Sequence, residues 1–324
     1  MIDTIDKNEQ YLLTNVQKDF PIEEHPFAVL SERTGIPVNT LITSIRSLIN
    51  DGMIRVFGPV FNPRSLGYTS TLIAIEVENE RVAELATFML DISEITHNYI
   101  RDHSLNMWFT ITARNNDIMD DIIRKVEKFP GVKRTLNLPI VTAYKINAVF
   151  GKAWTNKAES KRPSAHHEPI KEEDIMIVRA IQDDFPIVDR PFLIVADRAK
   201  TTEQNVIATV RKWLENGTIR RFGARLNHRR AGYSQNVLTA WKGENIGILG
   251  HTFAELPDVS HCYQRATYDD WPYELYAMVH ATSNAEMKNN LNRMKALAPE
   301  AKSISMKTLH ELKKTSMRYF LEDM

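Results

Sequence analysis

Apolar residues recur at helical spacing near the start of each half of the chain. Ile5, Leu12, Leu13 and Val16 form one stripe, and Ile175, Ile177, Val178 and Ile181 form another, the pattern of a helix with one buried face. Short helical stretches follow around Phe27 to Arg33 and Leu193 to Arg198, then a third helix over about 38–49 and about 202–214. Asp51-Gly52 and Asn216-Gly217 stop these helices, because Gly accepts the left-handed conformation of a terminal cap. Ile54 to Val60 and Ile219 to Leu226 then read as a strand or wing. Three short helices and a wing predict a winged helix-turn-helix in each half.

The remainder of the first half predicts a strand over Thr71 to Val77, a helix over Arg81 to Leu90, and strands over Ile95 to Arg101 and Asn106 to Ala113. A helix over Ile118 to Phe129 and a strand near Val132 to Tyr144 complete a βαββαβ order, the ferredoxin-like arrangement. Asn236 to Trp241, Ile246 to Leu256, Val259 to Arg265, Glu274 to His280 and Ala285 to Leu297 repeat it. Between the halves, residues 152–169 carry Lys, Ser, Pro and His without periodicity and read as a linker.

The repetition is also literal. Asp19-Phe20-Pro21 returns as Asp184-Phe185-Pro186, and Pro26-Phe27 as Pro191-Phe192. Asp51-Gly52-Met53-Ile54-Arg55 returns as Asn216-Gly217-Thr218-Ile219-Arg220, Phe57-Gly58 as Phe222-Gly223, and Gly67-Tyr68 as Gly232-Tyr233. Each pair is 165 positions apart. Such a period holds one whole folding unit, so an α+β pseudo-dimer in one chain is expected. Its pieces are a winged helix-turn-helix over 1–60, a ferredoxin-like domain over 61–151, the linker over 152–169, a second winged helix-turn-helix over 170–225 and a second ferredoxin-like domain over 226–324.

A length of 324 residues suits two such units. The 43% hydrophobic and 25% charged content is that of an ordinary globular protein. No apolar run approaches the ~20 residues that cross a bilayer. The opening residues show no signal-peptide pattern, so a cytoplasmic location and no membrane partner are expected. A single cysteine, Cys262, excludes an internal disulfide, a Cys-rich zinc site and a cysteine-ligated iron–sulfur cluster within the chain. Lys and Arg together number 41, as do Asp and Glu. That balance argues against a nucleic-acid binder, whose affinity rests on neutralising phosphates.

The helices that would read DNA say the same. Residues 37–47 offer Asn39, Thr40, Thr43, Ser44 and one base, Arg46, while Thr201 to Trp213 offers Glu203, Gln204 and Asn205 with Arg211 and Lys212 near its end. Phosphate and base contacts favour several Arg or Lys near the helix start, where a Glu is repelled. No DNA partner is expected, and these domains read as packing units.

Three features carry candidate chemistry. His97-x-Tyr99-x-Arg101 and His261-x-Tyr263-x-Arg265 fall on predicted strands, so alternation puts each triplet on one face. The bland alternative is a solvent-facing strand side, which repetition in both halves disfavours. The second feature is one-sided. Arg220, Arg221, Arg225, His228, Arg229 and Arg230 crowd the second half with no acid among them, whereas the matching stretch keeps Arg55 and Arg64. Guanidinium forks grip carboxylates and stay charged at cellular pH. A phosphate-binding wing would also use them, but a two-fold DNA reader needs the cluster in both halves. The third feature is aromatic: Trp108, Trp271, Tyr273 and Tyr276 could wall a flat ligand, or simply form core.

Gly-x-Ile-Arg before the wing and Leu66-Gly67-Tyr68 after it resemble the Lrp/AsnC regulators, which join a winged helix-turn-helix to a ferredoxin-like sensing domain. Ser260-His261-Cys262-Tyr263-Gln264-Arg265 followed by Trp271-Pro272-Tyr273-Glu274-Leu275-Tyr276 is similar to one subunit type of the siroheme decarboxylases. The Arg-Arg-Phe-Gly-Ala stretch and His228-Arg229-Arg230-Ala231-Gly232-Tyr233 resemble the same type. Thr96-His97-Asn98-Tyr99-x-Arg101 followed by Asn106-Met107-Trp108-Phe109-Thr110 resembles its partner. The resemblance spans nearly the whole chain, as a fusion of two subunits that often occur separately.

That resemblance implies a carboxy-lyase that converts siroheme to 12,18-didecarboxysiroheme, losing two acetate carboxyls as carbon dioxide, in heme d1 or alternative heme biosynthesis. It implies no organic cofactor and no metal of the protein's own; the substrate carries the iron. The paired triplets and the one-sided arginine cluster point to His261 as the principal proton donor, with Tyr263 and Arg265 orienting or anchoring a carboxylate and His97 and Arg101 in the matching place. Arg220, Arg221, Arg225, His228, Arg229, Arg230 and Arg55 would hold carboxylates, and Tyr99, Trp108, Trp271 and Tyr273 would line the substrate. His261, His228 or His97 could ligate the substrate iron axially. The fused chain could pair further into a homodimer. A transcription regulator and a heme-binding sensor without turnover stay open as alternatives.

Overall fold

The structure, a computed structural model, describes residues 12, 15–17, 19–146, 170–227, 230 and 232–321. The expected linker and the stripe residues Ile5 and Leu13 lie outside the described residues. The first half supplies α1 (Pro26–Thr34), α2 (Val38–Asn50), β1 (Ile54–Phe61), β2 (Thr69–Val77), α3 (Val82–Leu90), β3 (Ile95–Arg101), β4 (Met107–Ala113), α4 (Asn116–Glu127) and β5 (Val132–Ile146). The second supplies α5 (Glu172–Ile181), α6 (Pro191–Ala199), α7 (Glu203–Glu215), β6 (Ile219–Leu226), β7 (Gln235–Lys242), α8 (Ile246–Glu255), β8 (Val259–Arg265), β9 (Leu275–Ala281), α9 (Asn284–Leu297) and β10 (Lys302–Lys314). They gather into two compact units, each built from both halves: residues 1–67, 149–232 and 318–324 form one, and 68–148 and 233–317 the other.

The first unit shows why its motifs repeat. Pro26 and Pro191 open α1 and α6, where a missing N–H costs nothing. Leu41, Ile45 and Leu48 are the buried stripe of α2, as Val206, Val210 and Trp213 are of α7. The strands read as a strand or wing in each half pair with each other, β1 antiparallel to β6, with Gly58 opposite Gly223. Around that ribbon the repeated phenylalanines meet: Phe20 lies edge-on to Phe57 at 5.0 Å and Phe185 edge-on to Phe222 at 5.0 Å. Phe20 also stacks on Phe222 at 5.7 Å, and Phe57 on Phe185 at 6.0 Å. Edge-to-face and offset pairs of this kind add to plain apolar burial. A motif that reads Asp-Phe-Pro twice is therefore one aromatic cluster with pseudo-two-fold symmetry.

Arginines on the candidate DNA-reading helices brace the same symmetry. Arg46 Nε donates to the Ile187 carbonyl and Arg211 Nε to the Ile22 carbonyl, each at 3.0 Å. Those two pairs are the same contact made in both directions, as at an isologous interface. The bases that DNA would need are used to join one helical domain to its copy.

The second unit is a closed eight-stranded barrel in the order β10-β3-β4-β2-β5-β8-β9-β7. Each half contributes a ferredoxin-like sheet, and two long strands close the ring. β5 pairs with β2 through residues 132–139 and then with β8 through 140–146. β10 pairs with β7 through 302–307 and then with β3 through 308–314. Each sheet edge is thus covered by a strand of the other half, which removes the exposed edges that invite aggregation. Outside the ring, α3 and α4 bury Leu85, Met89, Ile122 and Val126 against Ile73, Ile95 and Phe109, and α8 and α9 bury Phe253 and Met294 against Trp241 and Val279. Inside the ring sit Trp108, Leu136, Leu138, Leu238, Trp271, Tyr276 and Met306.

Two glycines separate conformational cost from steric cost. Gly217 and Gly223 both have positive φ, at 79° and 144°, but a Cβ on Gly223 would stand 2.1 Å from the Val16 carbonyl oxygen, while one on Gly217 meets nothing within 4 Å. Gly217→Ala should therefore cost about 1–2 kcal/mol, the left-handed penalty. Gly223→Ala should cost more than about 3 kcal/mol, because backbone must move. Urea midpoints of the two variants check this, and equal losses would contradict it.

Candidate active site

Strand register decides where the two triplets point. Tyr99 lies across from Trp108, and Tyr263 across from Tyr276. Directly paired residues share a sheet face, and Trp108 and Tyr276 both belong to the barrel interior. Both triplets therefore line the inside of the ring. β3 and β8 are four places apart in a ring of eight, so the two sets stand on opposite walls. The solvent-facing alternative for these strand sides is excluded.

Each histidine is preceded by a bulge. Register shifts fall between Ile95 and His97 and between Val259 and His261, and such an extra residue re-aims side chains beside functional sites. The extra residue is Thr96 in one half and Ser260 in the other. Thr96 Oγ1 meets His97 Nδ1 at 3.0 Å, and Ser260 Oγ meets His261 Nδ1 at 2.9 Å. A fixed partner on Nδ1 sets the orientation of the ring. The tyrosine follows at 6.3 Å from His97 and 6.1 Å from His261, between ring centroids.

The triplet arginines brace the seams between the two sheets. Arg101 Nη1 donates to the Met306 carbonyl at 3.2 Å and to Thr308 Oγ1 at 3.0 Å. Arg265 Nη1 donates to the Leu138 carbonyl at 2.7 Å. Both acceptor strands, β10 and β5, are those that cross from the other half. Arg101 lies 5.5 Å over the Tyr99 ring and Arg265 5.0 Å over the Tyr263 ring, a cation–π contact that fixes each phenol. Burial brings Arg101 and Arg265 down to about 10, so both stay charged at neutral pH. Their Nε atoms are buried and have no hydrogen-bond partner among the described residues.

Symmetry ends at the crossing strands. Opposite Tyr99 and His97 stand Glu311 and Lys314 of β10, paired with each other at 3.3 Å. Opposite Tyr263 and His261 stand Ala143 and Ile146 of β5. One imidazole has an ion pair on the neighbouring strand, and the other has apolar side chains. The second half gains a further imidazole, since Ser260 Oγ also meets His280 Nε2 at 2.9 Å. Ser260 and His280 were missed in the sequence because their meeting depends on the pairing of β8 with β9. His280 also has no histidine counterpart in the first half to flag it.

The aromatic residues serve the barrel before any ligand. Trp108 and Trp271 are 1% and 4% exposed, with ring centroids 6.1 Å apart. Trp271 Nε1 donates to the Tyr276 hydroxyl at 2.7 Å, which donates to the Tyr273 carbonyl at 3.0 Å. Burial raises the Tyr276 phenol well above its usual range, so it remains neutral. Trp108, Trp271 and Tyr276 pack together within the barrel, and Tyr273 packs against them partly buried.

The arginine-rich stretch belongs to the first unit, and both triplets belong to the second. Arg220 Nη2 donates to Asn62 Oδ1 at 2.9 Å, and Arg221 Nη1 to the carbonyls of Gln17 at 2.8 Å and Ala224 at 3.1 Å. Arg230 donates to the Asp51 carbonyl and covers Gly52. Burial lowers Arg225 to about 10, Arg55 and Arg221 repel it further, and Tyr319 acts in the opposite direction. Guanidiniums packed against one another favour an anion between or upon them. His228 and Arg229 lie outside the described residues. In the second unit, a surface cleft of about 660 Å³ reaches Arg101 but carries Glu76, Glu78, Glu80 and Asp102, the wrong sign for a polycarboxylate.

Comparison with known proteins decides the family. A siroheme decarboxylase of Hydrogenobacter thermophilus is 34% identical over 319 residues, covering 96% of this chain and 95% of that one. The chain belongs to the siroheme decarboxylase family. Residues 9–55 and 174–220 match the siroheme decarboxylase NirDL-like HTH domain, and 65–145 and 230–313 match the AsnC-like ligand binding domain. The siroheme decarboxylase beta subunit of Oleidesulfovibrio alaskensis is 37% identical over 147 residues, covering 44% of this chain and 93% of its own. This family member therefore carries in one polypeptide what some relatives divide into subunits. A crystal structure of the siroheme decarboxylase NirDL in complex with an iron-uroporphyrin III analogue is similar at a TM-score of 0.75 and 29% identity, covering 98% of this chain and 96% of that one.

Among the described residues, no helix is long and apolar enough to cross a membrane, and no group of three or more His, Cys, Asp or Glu could hold a metal ion. Cys262, between His261 and Tyr263, faces the opposite side of β8 and donates to the Gly250 carbonyl at 3.6 Å. Burial pushes its thiol up to about 12. The native protein should leave Cys262 unreacted with a thiol reagent at pH 8 and react fully once unfolded; rapid native labelling would contradict this placement.

Proposed function

We propose that this protein decarboxylates siroheme, replacing two acetate side chains with methyl groups and releasing two molecules of carbon dioxide. The observation that carries this reading is the pair of His-x-Tyr-x-Arg triplets facing into one barrel. Each step exchanges a carboxylate for a proton: the bond to the carboxyl carbon breaks, its electron pair enters the conjugated macrocycle, and a proton reaches the methylene carbon. Histidine titrates near neutral pH and can give that proton. With Nδ1 held by the Ser260 hydroxyl, transfer is assigned to Nε2 of His261. Ala143 and Ile146 stand beside this triplet, so no charged side chain of the crossing strand is paired directly with Tyr263 or His261.

Arg265 and Arg101 hold the tyrosines in place. Arg220, Arg221, Arg225, Arg55 and Arg230 of the first unit, with His228 and Arg229 of the same stretch of sequence, carry the charge to bind carboxylates. His97 has the same local support as His261, but its ion-paired neighbours make it the weaker donor. The substrate brings its own iron, and acid–base chemistry needs no further organic cofactor. The product would enter heme d1 or alternative heme biosynthesis. A DNA-binding role is disfavoured by Arg46 and Arg211, which are engaged within the protein.

Anaerobic incubation with siroheme, followed by mass spectrometry of the tetrapyrrole, should show loss of two carbon dioxide units. Unchanged siroheme after binding would mark a carrier or sensor and contradict the proposal. Arg225→Ala should weaken siroheme binding by about 10-fold or more, the worth of one charge-assisted contact. Because it also relieves repulsion with Arg55 and Arg221, it should leave unfolding stability equal or higher.

A further inference from the structure

Behind His261 the second half has a hydrogen-bonded chain whose far imidazole, His280, is matched in the first half by a threonine, Thr112. Ser260 Oγ lies 2.9 Å from His261 Nδ1 and 2.9 Å from His280 Nε2, with the Met278 carbonyl at 3.4 Å. Ser260 is 1% exposed and His280 7% exposed. With its one proton turned from the Met278 carbonyl to an imidazole, the Ser260 hydroxyl donates to that ring and accepts an N–H from the other. The chain therefore has a direction, and reversing it moves a proton from one ring to the other.

The equivalent place in the first half is defined by register. Asn236 pairs with His280 as Ser70 pairs with Thr112, and the backbone N–H of His280 bonds Asp258 O as that of Thr112 bonds Glu94 O. Thr112 Oγ1 turns to Ser70 Oγ at 3.1 Å. The Thr96 hydroxyl beside His97 thus meets no second imidazole at that position. Both halves have the bulge and the hydroxyl; the second adds the imidazole.

We propose that Ser260 and His280 are positioning and proton-relay residues for His261, and that they make the second half the proton-supplying half. This inference rests on the reading of His261 as donor. As His261 gives its Nε2 proton to the substrate carbon, its Nδ1 takes the Ser260 hydroxyl proton. Ser260 takes the Nε2 proton of a doubly protonated His280. His280 ends neutral, His261 regains its neutral state with the proton on Nδ1, and the macrocycle retains the electron pair until the carbon is protonated. Before a second decarboxylation a proton returns from water to His261 Nε2, and the Nδ1 proton passes back through Ser260 to recharge His280.

The test is siroheme turnover by four near-isosteric variants, with siroheme affinity checking that each barrel is intact. His280→Gln keeps a group able to hydrogen-bond Ser260 but cannot carry a proton. It should lower kcat by at least about 10-fold with KM unchanged, within the range of acid–base effects. Ser260→Ala should fall equally, and Ser260→Thr, the residue found at the first-half position, should retain most of the rate. Thr112→Val, in the first half, should leave the rate unchanged. The wild-type proton inventory in mixed H2O and D2O should curve, and that of His280→Gln should become linear. Wild-type turnover by His280→Gln and Ser260→Ala would overturn the relay alone. Absence of any turnover by the wild type would overturn the functional reading and the relay with it.

Discussion

The passage of two strands from one sheet to the other is the constraint on which the second unit depends. β5 and β10 each begin as the edge of their own ferredoxin-like sheet and end as the edge of the opposite one. A single ferredoxin-like sheet has one face covered by helices and one face bare. Closing two of them into a ring turns both bare faces inward, where Trp108, Trp271 and Tyr276 fill the space and two polar triplets share the wall. Arg101 and Arg265 sit on these crossings, each donating to a carbonyl of the strand that arrives from the other half. The same buried guanidiniums steady the tyrosines beside the two imidazoles, so closure of the barrel and geometry of the chemistry are one problem with one solution.

Covalent duplication allows the two walls to differ. A homodimer of identical subunits repeats every side chain, whereas a fused repeat can keep the scaffold in duplicate and change single positions. The scaffold is kept in the bulges at Thr96 and Ser260, the histidine contacts and the arginine braces. It is changed at Glu311 and Lys314 against Ala143 and Ile146, and at Thr112 against His280. In the first unit the duplicated helical domains spend their symmetry on each other, through the Phe20, Phe57, Phe185 and Phe222 cluster and the reciprocal Arg46 and Arg211 contacts. There the two helical domains are each other's packing partners.

Much of this was legible in the chain. The repeat at 165 positions predicts two similar halves, and helix and strand periodicity places the elements close to where they lie, because both signals are local. Alternation on β3 and β8 correctly groups His97, Tyr99 and Arg101, and His261, Tyr263 and Arg265. Partner choice between strands is non-local, and that is where sequence reading stops. Nothing in Val132–Ile146 announces that its first part pairs with β2 and its last part with β8. The same non-locality hid β1 pairing with β6, and hid His280, whose role emerges when β9 lies beside β8. The aromatic stretch was ambiguous for a different reason, since the same residue types serve as ligand wall and as barrel filling.

Substitution of each histidine in turn, with the tetrapyrrole product weighed after anaerobic incubation, tests the central claim most directly. His261→Ala should retain both carboxylates on siroheme that still binds, while His97→Ala should still release carbon dioxide. Complete two-step decarboxylation by His261→Ala would contradict the assignment of the second-half imidazole as the principal proton donor.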